Sequence, residues 1–489
     1  MARLKLMKLA ATPLLLVILA ACTVGPDYVR PKAETPASYK EIEGWKKAQP
    51  QDHVSRGAWW AMYNDPQLSG LEEQVNISNQ NLAAAEAQYR QALALVQAAK
   101  AAYFPTANAG PRVSRSRPSA NLPGARGISE TTSDLIFSGT ATWELDLWGK
   151  VRRQVESSKA SAQANAALLE GVRLSAQSQL ALDYFELRTL DSLKKVLSET
   201  VQAYRKFLEL TKNRYASGVA AQSDILTAQT QLDTTEAQLI SVGVQRAQME
   251  HAIAMLIGKT PSDLSIPAGP LDGPPPAVPA GVPSELLERR PDIAAAERQA
   301  KAANAQIGVA EAAYYPTVTL NASGGFEASS VAQWFTWPSR FWTLGPASAQ
   351  EILFDGGLRL AQTEQARAAY DASVATYRQT VLTGFQQVED NLAALRILEQ
   401  QAQAQQAAVD ASIWNLDITV NHYKVGTASA LDVINTQTIL LTNQLTAVGI
   451  LGSRMNASVS LVQALGGGWS TADLPSDETV GKKPYKGWW

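Results

Sequence analysis

The chain repeats itself. Asn81-Leu82-Ala83-Ala84-Ala85-Glu86-Ala87-Gln88 matches Asp292-Ile293-Ala294-Ala295-Ala296-Glu297-Arg298-Gln299 without a gap, and Tyr103-Phe104-Pro105 matches Tyr314-Tyr315-Pro316. A second set, Tyr215, Gly218, Asp224, Gln229 and Gly258, falls at one constant offset on Tyr423, Gly426, Asp432, Gln437 and Gly466. A repeat of about 210 residues that preserves the order of several elements is a duplication of a whole substructure. Each half therefore builds the same unit, and function is expected where the two units meet.

Period marks the elements inside each unit. Pro66 to Ala102 reads as one helix, capped by Asp65 with proline at its first position. From Leu135 to Leu147 the odd positions Leu135, Phe137, Ala141, Trp143, Leu145 and Leu147 are apolar, and the even ones are polar except Ile136. Val318, Leu320, Ala322 and Phe326 alternate in the same way with Thr319, Asn321, Ser323 and Glu327. Alternation over about 13 residues, as in the first of these, fits a tilted strand that crosses a bilayer; the ordinary alternative is a sheet half-buried on a soluble core. Each half offers two strands around a loop, 121–132 or 329–339. Four strands cannot close a barrel, so a membrane reading requires oligomers, two copies giving eight strands and three giving twelve.

Long proline-free stretches follow each strand pair, from Gly149 to about Asn213 and from Gly357 to about Asn421. At about 1.5 Å per residue each extends close to 100 Å. Leu197, Val201, Tyr204 and Leu208, and Tyr377, Val381, Phe385, Val388, Leu392 and Leu395, step by three and four as coiled-coil seams do. Gly218 and Gly426 suit the reversals at the far ends. Residues 260–283, centred on Pro274-Pro275-Pro276, read as a linker between units spanning 65–259 and 284–467; 468–489 is an aperiodic tail.

The N-terminus carries Arg3, Lys5 and Lys8, an apolar run from Leu14 to Leu19, and then Leu19-Ala20-Ala21-Cys22. This is the layout of a secretory signal over 1–21. Cys22 is the chain's single cysteine, and it stands where a lipoprotein signal requires a residue to be acylated. The alternative is an ordinary signal with an incidental cysteine. Residues 22–64 read as an extended arm that Trp59, Trp60 and Tyr63 anchor by packing. Beyond Cys22 no run of about 18 apolar residues suggests a second membrane helix.

Composition removes other classes. A formal net charge of -2 argues against a nucleic-acid partner. One cysteine and the scattered His53, His251 and His422 offer no disulfide and no metal spacing. Nucleophile elbows and phosphate loops are absent from the sequence, so no catalytic residue or cofactor is expected.

Several segments in order resemble one family: Leu19-Ala20-Ala21-Cys22, Val24-Gly25-Pro26-Asp27-Tyr28 with Pro31, Trp59-Trp60 before Asp65-Pro66, Glu288-Arg289-Arg290-Pro291-Asp292-Ile293, Ala312-Ala313-Tyr314-Tyr315-Pro316, Phe354-Asp355-Gly356-Gly357, and Tyr423 to Gly426 followed by Asp432. Together they are similar to the outer membrane factors of Gram-negative efflux systems, the lipoprotein branch of TolC-like channels of OprM/NodT type. The resemblance implies an α+β membrane protein: a trimeric twelve-stranded outer-membrane β-barrel, four strands per chain, continuous with a periplasmic α-helical barrel of coiled-coil pairs. It implies no enzyme activity, a homotrimer held in outer-membrane lipid, and docking of an inner-membrane efflux pump and a periplasmic adaptor near the helical tip.

By position, the tip constriction of that family falls here on Tyr215, Gly218 and Asp224 and on Tyr423, Gly426 and Asp432. Three copies of Asp432 near an axis would form an acidic ring that favours cations. Both aspartates also suit helix N-termini; the resemblance places Asp432 near the axis and favours the pore role for it. Several relatives have an acidic residue three positions after Asp432, where this chain has Asn435. The exported solute stays open between drugs, metal ions and proteins, and a lipid-anchored periplasmic coiled-coil scaffold is the alternative from another class.

Overall fold

The computed structural model describes residues 23–42, 58–121, 130–271, 273–278 and 283–482. The signal over 1–21, Cys22, His53, part of the arm, parts of the linker, most of the first strand loop and Trp488-Trp489 lie outside the described residues.

Helices α1 (Pro66–Ser78) and α2 (Gln80–Ala101) lead into strands β1 (Thr106–Ser116) and β2 (Thr132–Leu145), then α3 (Lys150–Ala216) and α4 (Gln222–Leu256). The second half repeats the order with α5 (Pro291–Ala312), β3 (Thr317–Ala328), β4 (Arg340–Gln350), α6 (Leu358–Val425) and α7 (Ala430–Ala464). The duplicated motif is thus a helix that stops and hands over to a strand. Leu82 and Ile293, equivalent in the two copies, are both buried.

The expected single helix from Pro66 to Ala102 is broken at Asn79. Its backbone is extended (φ -65°, ψ 122°); its Oδ1 accepts from the Leu82 N–H at 3.0 Å and its Nδ2 donates to the Leu256 carbonyl at 2.7 Å. Ser78 Oγ donates to the Ile257 carbonyl at 2.6 Å. The break lets two side chains satisfy carbonyls that the end of α4 leaves without intrahelical partners. Asp65 caps α1 as expected, accepting from Gln67 and Leu68 N–H groups at 2.8 and 3.0 Å.

The strands form one antiparallel sheet in the order β1-β2-β3-β4, and the β2–β3 pair joins the two halves. Register sets apolar residues opposite one another: Leu145 faces Val318, Trp143 faces Leu320, Ala141 faces Ala322 and Phe137 faces Phe326. One face is therefore apolar from edge to edge, while Thr140, Thr142, Ser323 and Asn321 lie on the other. The expected strand end at Leu147 falls two residues too late. Asp146 instead caps α3, its carboxylate accepting from the N–H groups of Val151 and Arg152 at 2.9 and 3.0 Å.

Below the sheet the two Tyr-aromatic-Pro motifs form a ring-rich layer. Trp148 stacks on Tyr315 with centroids 5.0 Å apart and donates to the Pro316 carbonyl at 2.8 Å, and Trp143 donates to the Tyr103 carbonyl at 3.0 Å. Rings with one polar atom suit a membrane–water boundary.

Helices α3 and α6 have 67 and 68 residues, about 100 Å each. Every seam residue named from periodicity is buried. The larger core lies at mid-height, where Trp59, Leu68, Tyr184, Ile293, Tyr377 and Val388 meet. Arg290 closes it: the guanidinium donates to both Asp292 oxygens at 3.0 and 2.7 Å, to the Ala464 carbonyl at 2.9 Å and to Gln387 at 2.9 Å. Helix α7 is long and apolar enough to cross a membrane by length and composition alone, although it holds no unbroken apolar run of that length; it packs lengthwise against α6. The tail also has structure, since Asp477–Gly481 is a helical turn that buries Val480 against Ala92, Val96 and Ala162.

Candidate functional site

Both helical hairpins end the same way. After α3, the Gly218 N–H donates to the Tyr215 carbonyl at 2.8 Å and the Val219 N–H to the Arg214 carbonyl at 3.0 Å; after α6, Gly426 donates to Tyr423 at 3.1 Å and Thr427 to His422 at 2.9 Å. This paired bonding needs a left-handed residue at its centre, and Gly218 and Gly426 supply it with φ of 76° and 84°.

The return helices start from matched aspartates at their third position. Asp432 accepts from the Ser429 N–H at 2.8 Å and the Ser429 hydroxyl at 2.7 Å through one oxygen, and Ser429 Oγ accepts from the Asp432 N–H at 3.2 Å. The Ser429 hydroxyl, then the Ser429 backbone N–H, hold the Asp432 carboxyl below the usual range, so it is ionised at neutral pH. Asp224 accepts from the Ala221 N–H at 3.1 Å. Alanine has no acceptor to return, so this cap is half of the reciprocal pair. Asp432 is exposed and Asp224 half-buried. Capping occupies Oδ2 of Asp432 and leaves Oδ1 with no bond among the described residues, so capping and a charge presented to a lumen are compatible.

The tyrosines diverge. Tyr215 is 46% exposed, whereas Tyr423 is 3% exposed and sits in a tip core with Tyr204, Phe207, Leu232, Val433 and Ile434. Its ring lies 5.4 Å from that of Phe207 and beneath the Arg214 guanidinium, 4.5 Å from the centroid. Arg214 Nη1 also donates to the Tyr423 carbonyl at 2.6 Å. A cation from the first hairpin thus caps the negative end of the second hairpin's long helix. Sequence reading missed Arg214, Phe207 and Ser429. Arg214 had a signal: it aligns with His422, so the duplication places two different basic residues before the paired tyrosines.

Among the described residues no group of His, Cys, Asp and Glu is arranged to hold a metal ion.

Residues 71–259 and 282–467 match the outer membrane efflux protein family. The chain is 31% identical over 457 residues to the antibiotic efflux pump outer membrane protein ArpC of Pseudomonas putida, covering 92% of this chain and 94% of that protein. Against the solvent efflux pump outer membrane protein SrpC of the same species it is 30% identical over 470 residues, 95% of this chain and all of the other. The solved structure of the outer-membrane channel OprN matches with a TM-score of 0.85 at 30% identity, over 92% of this chain and 100% of that one. The fold is theirs: a trimeric barrel to which each chain gives four strands, continuous with a large periplasmic helical part. The chain belongs to the outer membrane efflux protein family and is an outer-membrane channel component of efflux.

Proposed function

We propose that this chain is the passive outer-membrane conduit of a tripartite export system, receiving solutes at its helical tip from an inner-membrane pump through a periplasmic adaptor. The observation that carries the reading is the sheet: four strands, both edges open, one face apolar from edge to edge, continuous with helices of 67 and 68 residues. A sheet of four cannot close, and three copies complete a barrel of ordinary size. A periplasmic scaffold would have no use for the apolar face. The chain performs no chemistry of its own. Relatives serving an antibiotic pump and a solvent pump resemble this chain almost equally, which supports leaving solute choice to the pump.

Residues 65–259 and 284–467 act as two repeats joined by 260–283, with 22–64 as an arm and 468–489 as a tail. Acylation of Cys22 tethers the arm. This reading is supported by where the arm starts: the Val24 N–H donates to the Trp148 carbonyl at 3.0 Å, and a Cβ on Gly149 would come 2.7 Å from Thr23 Cγ2. The residue after Cys22 thus lies at the junction of sheet and helix, level with the inner leaflet.

The gate comprises Tyr215, Gly218, Asp224, Tyr423, Gly426 and Asp432, with Asp432 as the charge on the lumen. Single-channel current in a planar bilayer tests it. Native protein is expected to give small, long-lived, cation-preferring steps, and Asp432→Ala larger ones with weaker cation preference. Unchanged selectivity would assign Asp432 to capping alone; inserted trimers that never conduct would place the resting seal at residues other than Asp432, and failure to insert would overturn the conduit in favour of the periplasmic scaffold.

A further inference from the structure

We propose that the outer rim of the barrel binds a phosphorylated glycolipid of the outer leaflet, with Arg115 and Arg340 as its phosphate ligands at the seam between neighbouring chains. The inference rests on the trimeric barrel of the preceding reading.

Side chains alternate along a strand, so register assigns each position to a face. Arg115 pairs with Ser133, two residues beyond Leu135, and Arg340 pairs with Phe326; both therefore lie on the apolar, outward face. Every other charged strand residue falls on the inward face. Arg112 pairs with Ile136 and Asp134 with Ser114, Glu144 pairs with Thr319 and Glu327 with Ile136. The outward face thus carries two charges, both positive and both at the end farthest from the helices, which is the exterior end.

Their strands make the coincidence sharper. Arg115 is the penultimate residue of β1 and Arg340 the first of β4, and β1 and β4 are the two free edges of the sheet. Register staggers the strands: Thr106, the inner end of β1, faces Thr142, and Thr142 faces Asn321, four residues above the start of β3. Strand ends rather than paired rungs therefore mark height in the membrane, as strand tilt in a barrel requires. Closing the barrel sets β1 of one chain beside β4 of the next and brings Arg115 and Arg340 together at the rim, once per seam.

Local packing holds Arg340 there. The loop between β3 and β4 folds over the outward face, Phe335 resting on Phe137 and Phe326 with centroids 6.0 and 5.5 Å apart. Arg340 lies over the Trp337 ring and donates from Nε to the Trp337 carbonyl at 3.0 Å. Trp337 and Trp342 are 76% and 75% exposed. Neither arginine has a carboxylate partner among the described residues. An arginine on the lipid face is tolerated best at the interface, and its planar fork matches phosphate oxygens. Two forks flanked by exposed indoles fit a phosphorylated sugar headgroup whose acyl chains run down the apolar face.

Full-length protein is placed in nanodiscs of neutral phosphatidylcholine, and binding of bisphosphorylated lipid A is read by native mass spectrometry and by displacement of a fluorescent lipid A. Native trimers are expected to retain lipid A, with affinity falling about tenfold for Arg115→Gln and for Arg340→Gln, the loss of one charge-assisted contact each. Arg112→Gln, inward at the same end, should bind as native does. Phosphate-free lipid A should bind native protein as weakly as lipid A binds the double variant, and inorganic phosphate should not displace the probe. Equal retention by the double variant, or of phosphate-free lipid A, would overturn the proposal. A mass showing single chains would remove the seam itself, a failure of the trimer that is distinct from trimers indifferent to lipid A.

Discussion

Removing Arg214 isolates the polar contact that joins the two hairpins at the tip beside their shared apolar core. Arg214→Ala deletes the 2.6 Å bond to the Tyr423 carbonyl and the stack on the Tyr423 ring. A hydrogen bond from a charged donor contributes about 1.5–3 kcal/mol, and a partly exposed cation–π contact about 0.5–1 kcal/mol. The two share one side chain and do not add fully, so a net loss of about 2 kcal/mol per chain is expected, roughly 30-fold in the local opening equilibrium. Hydrogen exchange reads this directly, because the Gly426 and Thr427 amides bond to Tyr423 and His422. Their exchange should accelerate by about that factor while amides at mid-height keep their protection. Resting conductance should rise in parallel. Arg214→Lys, which keeps the charge but loses the planar fork, should fall between native and alanine. If Arg214→Ala left both exchange and conductance unchanged, the apolar tip core alone would hold the hairpins and the reasoning would fail.

Two further outcomes concern stability. Glu72 is fully buried with neither carboxylate oxygen bonded, and burial pushes its pKa from 4.5 up to about 9; folding therefore takes up a proton between these values, and stability should fall as pH rises through that window by up to about 1.4 kcal/mol per unit. Glu72→Gln should flatten this slope in denaturation curves and stabilise the protein at pH 8 by about 2–4 kcal/mol, whereas an unchanged slope would show that the group is solvated. Arg290→Ala leaves the end of α7 uncapped and Asp292 unpaired, at a cost of about 3 kcal/mol, discounted because Asp292 is partly exposed; an unaltered thermal midpoint would contradict the role given to the Arg-Pro-Asp motif.

The sequence made the periodic parts legible. Seams such as Tyr377, Val381 and Phe385 are buried as their spacing predicts, and the strands alternate as their period predicts. Gly218 and Gly426 were readable because a left-handed reversal favours glycine. What was hidden depends on partners far away in the chain. Asn79 breaks a helix that contains no proline there, because its amide answers the Leu256 carbonyl from α4; no local window contains that carbonyl. Asp146 reads as one more polar position of an alternating strand until α3 supplies two N–H groups to cap. Arg214 is illegible for the same reason: its targets are the Tyr423 ring and carbonyl, in the other half of the duplication.

Duplication gives the hairpin tips one backbone but two chemistries, and that difference bears on how a gate built from them would move. The first tip is loosely made: Tyr215 is 46% exposed and Ala221 offers its helix no side-chain cap. The second is closely knit, with Tyr423 3% exposed, a reciprocal Ser429–Asp432 cap and Arg214 bonded across to it. A well-capped tip moves more readily as a body than by fraying, because unwinding it sacrifices the cap and the glycine turn together. On the proposed reading, then, α6 and α7 swing as a unit and Arg214 is the contact that yields. Asp432 travels with that unit, its Oδ2 tied to Ser429 throughout. Three ionised carboxylates brought together on closure repel one another, and the Arg214 contacts oppose that repulsion. Two differences between the repeats bear on that balance: Arg214 aligns with His422, and the cap of Asp432 uses Ser429 where the other half has Ala221.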